Sequence, residues 1–142
     1  MSKLLTRQEE QAVTEAIKFA EKLSTGEIRV HLETSCEGDA FQRALEVFHF
    51  LGMTQTKARN GVLIFLAVRS KKFAVVGDKG IHQVVGKSFW NQVRDSMQES
   101  FRHGKFAEGL ISGIYEIGRQ LKSHFPADDS DVNELNDGIS FG

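Results

Sequence analysis

The stretch that most constrains this chain is GVLIFLAV, Gly61 to Val68, which carries no charge and is apolar on both faces. A half-solvated strand alternates in polarity; one that is apolar throughout must be covered on both sides. The segment therefore predicts a central buried strand with a layer packed above and another below. RSKK then makes a tight polar turn into KFAVVG, Lys72 to Gly77, which reads as its antiparallel hairpin partner.

The flanking segments supply the layers. Thr6 to Leu23 predicts a first helix, with Thr6 and Glu9 as a capping box and Val13, Ala16, Ile17, Ala20 and Leu23 on one face. Glu27 to Thr34 alternates, Ile28, Val30 and Leu32 against Glu27, Arg29, His31 and Glu33, and predicts a half-solvated strand near a sheet edge. Asp39 caps a second helix bearing Ala44, Phe48 and Leu51. Ser88 is placed to cap a third, with Trp90, Val93, Met97 and Phe101 inward and Gly104 as its left-handed end. Phe106, Leu110, Ile114, Ile117 and Leu121 stripe a fourth, in which Gly109 and Gly113 predict close backbone packing. Pro126 ends it. The expectation is an α/β fold: a three-layer α/β/α sandwich on a small mixed sheet of three or four strands, spanning residues 1–126, with an acidic C-terminal tail at 127–142.

Charge and cysteine content narrow the function classes. Eighteen basic against nineteen acidic residues leave a formal charge of -1, which gives no whole-protein field for nucleic acid. Cys36 is the single cysteine, so no internal disulfide forms. No run reaches the roughly 18 apolar residues of a membrane span. The expected location is cytoplasmic, without nucleic-acid binding or membrane insertion.

Four motifs come near known chemistry and miss it. A phosphate loop reads Gly-x-x-x-x-Gly-Lys-Ser/Thr, whereas Gly80 and Gly86, ahead of Lys87-Ser88, bracket five residues. The bland alternative is a strand-to-helix connection with Ser88 as cap. Cys36 and Arg43 are separated by six residues, one more than in the phosphate cradle of cysteine phosphatases, and Glu37 and Asp39 between them would repel a phosphate dianion. Arg102-His103-Gly104 closes a helix rather than a strand, so it reads as a basic last turn and C-cap. Asp129 to Asn133 begins like a calcium loop, but Glu134 stands where that loop needs glycine and Ser140 where it needs glutamate. The five histidines show no metal-binding spacing.

Oxygen-bearing side chains converge in two ways, depending on strand pairing. If the crossover through the second helix makes the first two strands parallel, Glu27, Asn60 and Asp78 gather at one sheet end. In the alternative pairing Glu37, Asp39 and Asp78 meet. Either set suits a hard cation, Ca²⁺ or Mg²⁺, which takes oxygen ligands.

The order of STGEIRV at Ser24, ARNGVLIFLAV at Ala58, KFAVVGDKGI at Lys72 and FRHGKFAEGLISGI at Phe101 resembles the TPM-domain family, named after thylakoid lumen, photosystem II repair and nematode acetylcholine-receptor-modulator proteins. The resemblance covers roughly Leu4 to Phe125. It implies an α/β/α sandwich; some plant relatives are acid phosphatases, and several members bind divalent cations, calcium especially. Where the family often has Arg-Asp-Asn-Gly before the central strand, this chain has Ala58-Arg59-Asn60-Gly61, and the family's Gly-Tyr-Gly-Leu-Glu-Gly is here Gly77-Asp78-Lys79-Gly80.

The resulting expectation is a domain that binds Ca²⁺ or Mg²⁺ weakly through Asp78, Glu37, Asp39, Asn60 and Glu27, with no catalytic residue assigned. Two alternatives stand beside it. One is a metal-assisted acid phosphatase in which Lys79 or Arg59 neutralises phosphoryl charge. The other is an adaptor that binds another protein through its acidic tail.

Overall fold

A computed structural model describes residues 4–127 and 139–142. The elements run α1 (Arg7–Lys22), β1 (Glu27–Glu33), α2 (Ala40–Phe50), a short 3-10 turn (Met53–Gln55), β2 (Gly61–Ala67), β3 (Lys72–Gly77), α3 (Lys79–Arg102), α4 (Phe106–His124) and β4 (Ile139–Phe141). The sheet order is β3-β2-β1-β4; β1 is parallel to both β2 and β4, and β2 is antiparallel to β3. The architecture is the α/β/α sandwich on a mixed four-stranded sheet that the sequence predicts.

Residue alternation along the strands divides the core in two. Ile28, Val30, Leu32, Val62, Ile64, Leu66 and Val75 face α1, α3 and α4. Leu63, Phe65, Ala67, Ala74 and Val76 face α2. Every residue of β2 is buried, as its two-faced apolar run requires. Thr6 and Glu9 close the expected capping box of α1, Asp39 caps α2 by accepting from the Phe41 N–H, and Gly104 turns left-handed at φ +75° after α3.

Three expectations are corrected. First, β1 is not a half-solvated edge strand: it lies between β2 and β4, and only Arg29 among its residues is partly exposed. The outer edge of β1 is covered by Ile139–Phe141, from within the predicted acidic tail, and Glu27, His31 and Glu33 of its polar row are buried, Glu33 against Arg43 of α2. Second, helical structure begins at Lys79, ahead of the predicted Ser88. A short segment precedes Gly86, and the predicted helix with Trp90, Val93, Met97 and Phe101 follows that glycine, close to where the sequence places its start, although Ser88 is not the cap. Asp78, in extended conformation, caps the short segment by accepting from the Lys79 N–H at 2.8 Å. The Gly86-Lys87-Ser88 stretch marks a break inside α3, where Gly86 takes φ 76°, ψ 172° before helical geometry resumes. Third, Gly109 and Gly113 admit side chains rather than backbone: a Cβ on either would stand 2.6 Å from Phe101 Cε1 or Met97 Sδ of α3.

Candidate functional site

The parallel pairing of β1 with β2 puts Glu27 opposite Gly61 at the start of both strands. The β2–β3 hairpin returns the chain to that end, where the Asp78 N–H donates to Gly61 O at 2.9 Å. Glu27, Asn60 and Asp78 therefore share one end of the sheet. Glu37 and Asp39 lie at the opposite end, both exposed, and do not meet Asp78. One Asp39 carboxylate oxygen is engaged by the α2 cap, and Glu37 O receives the Cys36 thiol.

At the first end each side chain is fixed by its neighbours. Asn60 is fully buried; its Nδ2 donates to Thr25 Oγ1 at 3.0 Å and its backbone N–H to Thr56 Oγ1 at 3.2 Å. Among the described residues, Asn60 Oδ1 has no hydrogen-bond partner. A buried carbonyl left in this way costs free energy, about 1–3 kcal/mol, unless something meets it. Asp78 is 6% exposed and is held bidentately by Arg59, with Nε to Oδ2 at 2.6 Å and Nη2 to Oδ1 at 2.9 Å. That hydrogen bonding holds the Arg59 pKa above its ordinary value. Arg59 reaches Asp78 from a left-handed backbone, φ +52°, and its carbonyl accepts from the Gly80 N–H at 2.8 Å. Lys79, the other cation considered for phosphoryl charge, is exposed.

The opposite end holds a network that the sequence pattern presented as solvent-facing. Glu33, 7% exposed, takes three hydrogen bonds from Arg43 of α2, the shortest 2.6 Å from Nη2, and a fourth contact at 3.1 Å from His31 Nε2. His31 Nδ1 lies 2.9 Å from Ser140 Oγ on β4, and its ring stacks on Phe65. Burial pushes the His31 pKa below the ordinary histidine value, against the raising effect of Glu33. For Glu33 burial acts upward, but the Arg43 and His31 hydrogen bonds outweigh it and hold the carboxyl below its usual range. The available signal was the spacing of His31 and Glu33 on one strand face, but nothing local showed that Arg43 would lie over them.

Among the described residues, no group of three or more His, Cys, Asp and Glu side chains stands together in a way that could hold a metal ion. The cation ligands expected from sequence divide between the two sheet ends, and Asp78, at the Asn60 end, already has a guanidinium partner. As they stand, these residues do not make a ready-formed metal cage. No described helix is long and apolar enough to cross a membrane.

The segments that shape the first end, from the β1 start through the hairpin to the α3 cap, lie within residues 1–120, which match the family model described as the TPM domain. The chain belongs to the TPM-domain family. Its fold is that of the BA42 protein from the psychrophilic bacterium Bizionia argentinensis, solved by NMR, at 48% identity over 97% of this chain and 95% of that one, with a TM-score of 0.90. More distant solution structures share the fold alone: an N-terminal domain from P. gingivalis at 21% identity and TM-score 0.71, covering 88% of this chain and 83% of that one, and the N-terminal domain of cg2496 from Corynebacterium glutamicum at 12% and 0.68, covering 93% and 82%. None of the curated proteins matches. The calcium-loop-like run Asp129 to Glu134 lies outside the described residues of this TPM domain.

Proposed function

We propose that this TPM domain is a binding module for a single divalent cation, Ca²⁺ or Mg²⁺, taken weakly at the sheet end formed by Glu27, Asn60 and Asp78. The observation that carries the reading is Asn60 Oδ1, a fully buried carbonyl oxygen without a partner among the described residues, at the end where two carboxylates also stand. A hard cation prefers this donor chemistry: one amide carbonyl, carboxylates and water. The Arg59 guanidinium already balances Asp78, so a divalent ion has to compete with it. The expected affinity is accordingly low, with a dissociation constant of about 10⁻⁴–10⁻³ M or weaker.

The test is a titration of the ¹⁵N-labelled domain with CaCl₂ and separately with MgCl₂. Amides of residues 25–27, 59–61 and 78–80 should shift in a saturable way at millimolar metal. Unchanged amides in all three segments, or shifts confined to Glu37 and Asp39, sink the reading.

A further inference from the structure

A second feature without a role so far is a groove of about 510 Å³ along β3. This strand ends the sheet: among the described residues it pairs with β2 alone. Its floor is Phe73 to Gly77, one wall is the start of α2 with Phe41, and the other is α3 with Trp90, Lys87 and Arg94. The Phe41 ring is 44% exposed, so the core does not explain its apolar character.

An edge strand presents a row of outward backbone N–H and C=O groups, a template that another extended segment can pair with. Proteins commonly blunt such edges with proline, bulges or covering loops. Here the helices stand on either side and leave a channel between them. The charge on its walls selects the occupant. Neither Lys87 nor Arg94 forms an ion pair among the described residues; Arg94 donates only to the neutral Asn91 side chain, at 2.7 Å. The one acidic residue on the lining, Asp39, accepts from the backbone at the start of α2. We infer that the β3 edge docks an extended acidic peptide of a partner protein, which adds as a further strand, sets apolar side chains against Phe41 and Trp90, and places carboxylates against Lys87 and Arg94.

The experiment uses the full chain and a synthetic octapeptide of alternating glutamate and valine. Trp90 is the only tryptophan, so its fluorescence reports on the groove directly. Binding should perturb that signal and the amides of residues 72–77. The charge-reversed pair Lys87→Glu with Arg94→Glu should weaken it at least about tenfold. Both side chains project from the α3 surface without acidic partners, so these variants keep the fold. The same peptide N-methylated on alternate residues should not bind, because strand pairing needs its N–H groups. Equal binding of the N-methylated peptide, equal binding of a lysine-valine analogue, or no response of β3 and Trp90 at millimolar peptide overturns the proposal. A concentration-dependent dimer abolished by the charge-reversed pair would also overturn it, by assigning the groove to a second copy.

Discussion

Arg59 grips Asp78 with two of its nitrogens, at 2.6 and 2.9 Å, while the same Asp78 caps α3 through the Lys79 N–H. One carboxylate thus joins the β2 entrance, the β3 exit and the start of a helix. The proposed cation site turns on this pair, because guanidinium and metal compete for the same oxygens. Arg59→Gly is the informative variant: glycine suits φ +52° without a side-chain penalty, so the backbone survives while the internal cation is lost. Calcium affinity at residues 59–61 and 78–80 should rise on the order of tenfold, the effect of removing one neighbouring charge. Calorimetric titration of both proteins measures it, and equal affinities would remove Arg59 from any part in cation binding.

Gly80 is held for a different reason. Its φ is not in the left-handed region, but a Cβ there would overlap the Ala58 carbonyl oxygen and stand 2.7 Å from Arg59 O. These are backbone atoms and cannot rotate aside. Gly80→Ala should therefore destabilise the domain by roughly 1–3 kcal/mol, read as a lowered urea midpoint at an unchanged slope. It should also loosen the Arg59–Asp78 pair, whose geometry depends on the Gly80 N–H bonding to Arg59 O.

How far the fold is legible in the sequence follows from where each signal resides. The position of β2 is written in its own residues, since an apolar run on both faces admits few alternatives. The position of β1 is not, because the strand covering it is three residues long and more than a hundred positions away, and the salt bridge to its Glu33 comes from Arg43 of α2. The start of α3 was obscured by a more conspicuous sequence. Gly86-Lys87-Ser88 draws attention as a helix start and a helix does resume there, but the segment before it, from Lys79 and capped by Asp78, has no such conspicuous signal. The gathering of Glu27, Asn60 and Asp78 is one of two that the sequence leaves open; it follows once β1 and β2 run parallel and the β2–β3 hairpin returns the chain. The Arg59–Asp78 pair is not legible there, since it requires a left-handed arginine that no propensity predicts.

Ser140 fastens β4 to β1. Its hydroxyl lies 2.9 Å from His31 Nδ1 and 3.3 Å from Val30 O, next to backbone pairing of only three residues. Removing the hydroxyl in Ser140→Ala leaves the His31 nitrogen without its protein partner. The expected cost is about 1 kcal/mol, with the exchange of β1 and β4 amides with deuterium accelerated more than that of β2. Unchanged protection at Val30 and Leu32 would show that β4 is held by its backbone alone.

The same network fixes how stability responds to acid. The His31 pKa lies below its unfolded value of 6.5 and the Glu33 pKa below 4.5. In both cases the unfolded chain binds the proton first, so unfolding is favoured as pH falls. The His31 contribution is complete above pH 6.5 and declines as the pH drops from there towards its folded pKa. The Glu33 contribution is complete above pH 4.5 and declines below it, when protonation weakens the acceptor for Arg43 and His31. Urea midpoints measured across this range should therefore fall in two steps on acidification. His31→Gln, which keeps a polar group beside Glu33 but cannot titrate, should flatten the upper step and leave the lower one. A variant whose midpoint still falls just below pH 6.5 as steeply as the parent's would place the upper titration on another residue.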